Sequence, residues 1–153
     1  MDIILREAEL KDAPSVVQLI AELAATENEH SLITAAYVES YLASPVSSIL
    51  LAEVRQRVVG LLSYSVRPDL HHAGDSCLIE ELIVTADVRG QGVGRALLTE
   101  LLSRLATRGC TEVSVAATPT NHQAIKFYQS HGLTDESLFL EKHFLREGIN
   151  YVA

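Results

Sequence analysis

Hydrophobic positions along the first third of the chain switch from strand spacing to helical spacing. The apolar run at residues 3–5 predicts a short strand. Apolar side chains then recur at helical spacing over residues 16–24, with Asp12 as the candidate N-cap and Pro14 in the first turn. A second, shorter helix is predicted from Thr34 to Leu42, so two helices follow the first strand.

The middle of the chain is dominated by apolar runs that are too short for helices. Residues 48–54 and 58–66 predict two strands joined by a short charged hairpin, and residues 78–84 predict a third. From Val93 to Arg108, leucines at helical spacing predict a long helix, which Gly109 ends.

Three further elements complete the pattern: a buried strand at 111–116, a helix at 121–131 and a last strand at 137–144. The helix has Asn121 as its N-cap and is followed by Gly132. The resulting order, β-α-α-β-β-β-α-β-α-β, contains no repeat or linker. It predicts an α/β (α+β) fold in one domain over residues 1–153, a mixed sheet with helices on both faces.

Composition and charge narrow the classes of partner. With 48% hydrophobic and 21% charged residues, the 153-residue chain is typical of a globular protein. Its net charge of −8 argues against nucleic acid and anionic membranes as partners and favours cationic ones. Charged residues within positions 1–10 argue against a signal peptide, and the apolar runs are too short to span a bilayer, so a cytoplasmic location is expected.

The histidines and cysteines give no sign of a metal site. Cys77 and Cys110 stand alone in sequence, and we expect them to be small buried hydrophobic residues. His71, His72 and His122 lack the spacing of a ligand set, and the first two are adjacent residues of a predicted loop. We therefore predict no metal.

The strongest chemical signal is a glycine loop between a strand and a helix. Leu82 to Val84 end a predicted strand, and Arg89-Gly90-Gln91-Gly92-Val93-Gly94-Arg95 then opens the leucine-rich helix. The unpaired amides at such a helix start converge and carry partial positive charge, so they bind phosphate groups. Glycine permits close approach of the backbone to the ligand, and Arg89 and Arg95 add positive charge.

Two other phosphate-binding loops are excluded by the residues that follow. A Walker loop requires lysine and serine or threonine after its last glycine, but Arg95 and Ala96 follow Gly94. A dinucleotide fingerprint requires a third glycine at the position of Arg95 or Leu97. The pattern that remains is Arg/Gln-x-x-Gly-x-Gly/Ala.

That pattern resembles the acyl-CoA-binding motif of the GNAT superfamily of N-acetyltransferases, here over Glu80–Leu98. Residues 121–133 are similar to the second CoA motif of that superfamily, Asn-x-x-Ala-x-x-Phe-Tyr-x-x-x-Gly-Phe/Leu. The resemblance implies a mostly antiparallel, twisted sheet and acetyl-CoA as cosubstrate. It further implies that the strand ending at Val84 splays from its neighbour, so that pantetheine pairs with exposed backbone. The implied cofactor-binding residues are Leu82, Ile83, Val84, Arg89, Gly90, Gln91, Gly92, Val93, Gly94, Arg95, Asn121, Ala124 and Phe127.

Catalysis requires a base for the amine, polarisation of the thioester carbonyl and an acid for the leaving thiolate. The resemblance assigns the base to Glu80, with Glu81 as second choice, the acid to Tyr128, and the polarising N–H to Leu82 or Ile83. Strand alternation predicts that the two glutamates face opposite sides of the sheet. Glu80 would share a face with Leu82 and Val84, and Glu81 with Ile79 and Ile83.

The favoured activity is direct transfer of acetyl from acetyl-CoA to a primary amine of a small, cationic acceptor in a ternary complex. The alternatives are a non-catalytic CoA-binding sensor or regulatory module and a protein or peptide N-acetyltransferase. Polyamines, aminoglycosides, lysine and amino acids remain open as acceptors. A homodimer is also expected, with Phe139, Leu140 and Phe144 as candidate contacts.

Overall fold

A computed structural model describes residues 1–144 of the chain. Two short 3-10 turns, Leu10–Asp12 and Ala86–Val88, precede the first and third helices. The strands are β1 (Ile4–Glu7), β2 (Ser47–Val54), β3 (Arg57–Asp69), β4 (Gly74–Val84) and β5 (Glu112–Val115). The helices are α1 (Ala13–Thr26), α2 (Ala35–Leu42), α3 (Val93–Thr107) and α4 (His122–Gln129).

The five strands form one sheet in the order β1-β2-β3-β4-β5. Neighbouring strands run antiparallel except β4 and β5, which run parallel. Hairpins join β2 to β3 and β3 to β4, whereas the parallel pair is joined through α3, as a parallel connection requires. The predicted mixed and mostly antiparallel sheet is confirmed.

Helices cover both faces of the sheet, as predicted. On one face, α1 and α2 pack through Val16, Leu19 and Val38 against the strand residues Leu51 and Leu61. On the other face, the leucines of α3 pack against Leu50 and Leu62, and α4 adds Phe127 and Tyr128 at the margin. Adjacent residues of β2 and β3 are therefore buried on opposite faces, which explains why these strands are continuously apolar in sequence.

The start of α1 is held by an ion pair and not by the expected N-cap. Pro14 does lie in the first turn, but the Asp12 carboxylate makes no cap hydrogen bond to α1. It accepts two hydrogen bonds from the Arg6 guanidinium, at 2.7 and 2.9 Å, and one from the Glu9 amide at 2.8 Å. Asp12 is 5% exposed, so this pair ties β1 to the entry of α1 inside the protein.

The predicted last strand, Ser137–Phe144, is wrong. Residues 134–144 carry no regular secondary structure. Leu138, Phe139, Leu140 and Phe144 are 60–82% exposed. A strand is stable only when a neighbour accepts its hydrogen bonds, and β5, which is four residues long, pairs in the described chain with β4 alone. An apolar pattern therefore did not suffice to form a strand here.

Candidate active site

The glycine loop lies where the sequence predicted it, between the end of β4 and the start of α3. Gly92 immediately precedes α3 with φ 90° and ψ 1°, and Gly90 has φ 76°. This left-handed region is readily open only to glycine. A Cβ added at either position would meet nothing within 4 Å, so both glycines face open space.

The first turn of α3 is suited to an anion. The amides from Gly92 to Arg95 have no acceptor within the helix, and no acidic side chain lies in this turn. The Val93 side chain is fully buried, so this residue can contribute only its amide to a ligand, whereas Arg95 is exposed. The helix dipole adds partial positive charge at the same point.

Arg89 fastens the loop to the rest of the protein. Its Nε donates to the Val84 carbonyl oxygen at 2.8 Å, and its Nη2 donates to Glu22 Oε1 at 3.2 Å. Gln91 similarly donates from Nε2 to the Asp87 carbonyl at 3.3 Å. The sequence suggested Arg89 as a free charge for phosphate, but a carboxylate of α1 already offsets that charge.

The pairing of β4 with β5 ends before β4 reaches the loop. Their pairing runs from Ser76–Glu112 to Ile79–Val115 and stops there. Strand β4 continues to Val84, so the backbone of residues 80–84 has no strand neighbour on the β5 side within the described chain. The predicted pantetheine residues Leu82, Ile83 and Val84 lie along this free edge.

The second motif lies against the start of α3. The Asn121 side chain caps α4 by accepting a hydrogen bond from the Ala124 amide at 3.1 Å. A Cβ placed on Gly94 would lie 3.8 Å from Phe127 Cζ and 3.8 Å from a methyl of Val84. Loop, strand end and α4 therefore converge on one place.

Tyr128 is positioned next to this junction. Its ring packs edge-to-face on Phe127 with centroids 5.3 Å apart. Burial raises the pKa of Tyr128 to about 12. The phenol is therefore protonated at neutral pH and has a proton to donate.

The prediction that Glu80 and Glu81 face opposite sides of the sheet is wrong. The β3–β4 register shifts between Ser63 and Tyr64, which pair with Glu81 and Ile79 respectively, so Glu80 is an extra residue in a β-bulge. Ile79 and Leu82 pack on the α3 face. Both glutamates line a cavity on the α1–α2 face.

The two carboxylates have different surroundings. The Glu81 carboxylate accepts a hydrogen bond from the Ser63 hydroxyl, whose oxygen accepts one from the Glu81 amide at 3.0 Å. Burial raises the pKa of Glu81, and the charge of Glu80 adds to this, while the Ser63 hydrogen bond opposes it. Glu80 is exposed, and its Oε1 accepts from the Ser65 hydroxyl at 3.4 Å.

The cavity between α1, α2 and the sheet has a volume of about 310 Å³. Its charged lining residues are the two glutamates, and Tyr41 and Ser63 line it beside them. No local motif in the sequence marks Tyr41 or Ser63 as part of a site. The aliphatic walls are Val16, Ile20, Leu32, Ile33, Val38, Ile49 and Leu61.

The other candidate residues lie outside this cavity. The Asp69 side chain accepts hydrogen bonds from the amides of His71 and His72 in the β3–β4 turn, at 2.8 and 3.2 Å. Burial raises the pKa of the Cys77 thiol to about 12, which disfavours the thiolate. Within residues 1–144, no three His, Cys, Asp or Glu side chains are grouped to hold a metal, and none of the helices is long and apolar enough to cross a membrane.

Comparison with known proteins agrees with this geometry. The acetyltransferase (GNAT) family matches residues 15–133. Aminoalkylphosphonate N-acetyltransferase of Salmonella typhimurium is 30% identical over 84% of this chain and 82% of its own. The human spermidine/spermine N(1)-acetyltransferase-like protein 1 is also 30% identical, over 87% of this chain, which spans only 21% of that protein.

A solved structure shows the same fold. The crystal structure of an aminoglycoside acetyltransferase from an uncultured soil metagenomic sample superposes with a TM-score of 0.81, covering 95% of this chain and 97% of that one at 22% identity. Because the family match extends over most of the chain, this protein belongs to the GNAT family of acetyltransferases and is an acyltransferase.

Proposed function

We propose that this protein transfers acetyl from acetyl-CoA to a primary amine of a small, cationic acceptor within a ternary complex. One observation carries the proposal: β4 contributes to both halves of the site. Glu80 and Glu81 line the cavity, and the next three residues run along the free edge to the glycine loop. An amine beside the carboxylates would thus lie close to a thioester held along that edge.

The cofactor half of the site rests on backbone groups. The amides of Gly92 to Arg95 would hold the CoA pyrophosphate at the start of α3. Pantetheine would lie along Leu82, Ile83 and Val84 and pair with their free backbone groups, as a peptide adds to a sheet edge. Asn121, Ala124 and Phe127 would border it from α4.

The reaction moves one acyl group, removes two protons from the ammonium nitrogen and gives one proton to the leaving thiolate. Glu80 removes a proton from the ammonium, because it is exposed and can pass that proton to water, and Glu81 is the second candidate. The amine nitrogen then bonds to the thioester carbon, whose oxygen accepts from the amide of Leu82 or Ile83. When the carbon–sulfur bond breaks, the thiolate takes a proton from the Tyr128 hydroxyl. The nitrogen loses its second proton as the neutral amide forms, and that proton restores the phenol of Tyr128 through solvent.

The lining of the cavity supports a cationic acceptor. Two carboxylates face it, and no lysine or arginine is among the described residues that line it. A phosphonate or carboxylate on the acceptor would therefore lack a partner there and would be repelled. This favours polyamines and simple amines over amino acids and aminoalkylphosphonates.

The test is thiol release from acetyl-CoA with a panel of spermidine, simple alkylamines, an aminoglycoside, lysine and an aminoalkylphosphonate. We expect release with amines that carry no anionic group. Glu80→Gln should lower kcat, whereas Glu39→Gln, an exposed carboxylate of α2 outside the cavity, should not. CoA binding without turnover on any amine would contradict transfer and favour the sensor hypothesis, and no CoA binding would contradict the whole proposal.

We further infer a cytoplasmic homodimer. The exposed side chains of Leu138, Phe139 and Leu140 form an apolar stretch that a second copy would cover. Light scattering on the purified chain should give twice the 16.7 kDa of one copy, and a monomer would contradict the dimer.

A further inference from the structure

Glu22 is an acidic side chain in an unexpected place. It belongs to α1, yet its carboxylate contacts Arg89, the first residue of the glycine loop. The chain already carries a net charge of −8, and one more negative charge near a bound diphosphate opposes binding. The position of this carboxylate therefore needs an explanation other than its charge.

The Glu22 carboxylate accepts two hydrogen bonds from the segment that leads into the loop. Its Oε1 accepts from the Ala86 amide and from the Arg89 guanidinium, each at 3.2 Å. Arg89 in turn donates from Nε to the Val84 carbonyl oxygen at 2.8 Å. One carboxylate oxygen and one guanidinium thus join α1, the turn before the loop, the loop itself and the end of β4.

The local hydrogen bonds of this segment are weak. The Arg89 amide lies 3.5 Å from the Ala86 carbonyl oxygen, and the Gln91 amide lies 3.4 Å from that of Val88. Ordinary N–H···O hydrogen bonds measure about 2.7–3.2 Å, so both are long. Contacts between neighbouring residues therefore constrain the loop poorly, and the contact with α1 supplies a constraint from outside the segment.

We propose that Glu22 is a positioning residue for the cofactor, an inference that rests on the proposed function. By holding Arg89 and the Ala86 amide, Glu22 keeps the glycine loop in the conformation that binds the CoA pyrophosphate. Hydrogen bonding gives Glu22 this role, because its negative charge alone would weaken the binding of a diphosphate. Arg89 then orients the loop, and the amides at the start of α3 bind the phosphates.

The same helix also forms part of the acceptor cavity. Val16 and Ile20 of α1 line that cavity, and Glu22 follows Ile20 by two residues. The cofactor loop and one wall of the acceptor cavity are therefore attached to a single helix. Glu22 thus helps to set the distance between the two halves of the proposed site.

The test compares the affinity for CoA, measured by isothermal titration calorimetry, in the wild type, Glu22→Ala and Glu22→Gln. Alanine removes both hydrogen bonds, so we expect the Kd for CoA to rise about fivefold or more. Glutamine keeps an acceptor oxygen and loses the charge, so its Kd should stay within about twofold of the wild-type value or fall. In thiol-release assays, Glu22→Ala should raise KM for acetyl-CoA and change kcat by less than about twofold.

Glu7→Ala is the matched control. Glu7 also pairs with an arginine of another element, because its Oε1 accepts from Arg104 Nη1 at 2.6 Å. Arg104 lies in the last turn of α3, at the opposite end of that helix from the glycine loop. Glu7→Ala therefore removes the same charge and one Glu–Arg ion pair away from the loop, and we expect CoA affinity to stay at the wild-type value.

The outcomes separate the inference from the proposed function. Unchanged or tighter binding of CoA by Glu22→Ala would overturn the inference alone. Equal losses in Glu22→Ala and Glu7→Ala would do the same, because the cause would then be general stability. A Kd that rises as much in Glu22→Gln as in Glu22→Ala would contradict positioning by hydrogen bonds. A wild type that binds no CoA would overturn the proposed function and the inference with it.

Discussion

Replacement of Gly92 by alanine tests whether the glycine loop holds a ligand or is only a turn. Gly92 has φ 90°, where an alanine costs about 1–2 kcal/mol of backbone strain. For a domain of this size we expect Tm to fall by roughly 2–8 °C. The new methyl would meet no protein atom within 4 Å, so steric overlap within the protein adds nothing to this cost.

The effect on CoA should be larger than the effect on stability. The methyl would project into the space where the pyrophosphate is expected, and the displaced phosphate would lose at least one hydrogen bond to an amide. A hydrogen bond to a charged group contributes about 1.5–3 kcal/mol, which corresponds to a ~10- to 150-fold weaker Kd for CoA.

Gly94→Ala is the matched control for this substitution. Gly94 lies inside α3, and its added methyl would make ordinary contacts at 3.8 Å with Phe127 and Val84. The motif also accepts alanine at this position. We expect stability to change by less than about 1 kcal/mol, since alanine favours helix over glycine, and CoA affinity to stay within a few-fold.

Isothermal titration calorimetry with CoA and thermal unfolding of both variants give the two quantities independently. A Gly92→Ala protein that unfolds earlier but binds CoA like the wild type would refute the reasoning, because the loop would then be a turn without a ligand. Equal loss of affinity in both variants would refute the assignment of Gly92 as the position closest to the phosphate.

Three further substitutions test the surroundings of the site. Burial raises the pKa of Glu81, so the folded protein loses stability as pH rises above about 4.5, where this carboxylate ionises more readily in the unfolded chain. Glu81→Gln should therefore raise Tm at pH 7.5 and leave Tm nearly unchanged at pH 4.5. Equal changes in Tm at the two pH values would contradict this. Tyr128→Phe should lower kcat, measured by thiol release, by about 10²-fold. The affinity for CoA, measured by calorimetry, should stay nearly intact. An unchanged kcat would contradict the assignment of Tyr128 as the acid. Asp12→Ala should lower the free energy of unfolding, measured in urea, by about 2–3 kcal/mol, because Arg6 keeps only Glu53 as an ion-pair partner. A loss below about 0.5 kcal/mol would contradict that role.

Local patterns predicted most of the fold. The glycine loop and α3 depend on residues next to one another in sequence, and their positions were predicted closely. The Asn121 cap of α4 was correct for the same reason, since a capping side chain bonds an amide three residues away. The family motifs added the mostly antiparallel sheet, which residue spacing by itself does not specify.

Predictions that depended on distant partners were less successful. The strand expected at residues 137–144 has the right apolar pattern, but the pattern does not supply the neighbour that a strand needs. Asp12 was expected to cap α1, but a guanidinium six residues earlier binds its carboxylate instead. In each case the sequence indicated a suitable residue and could not indicate its partner.

By itself, the sequence determined the order of elements up to α4, the glycine loop and the presence of two adjacent glutamates, because each of these is encoded by contiguous residues. Only the tertiary structure decided that both glutamates face one cavity, since the bulge arises from the register between β3 and β4. Packing of α2 against the sheet likewise brought Tyr41 to the wall of the same cavity. The proposed acceptor cavity thus depends on contacts between elements, whereas the glycine loop depends on the conformation of a few consecutive residues.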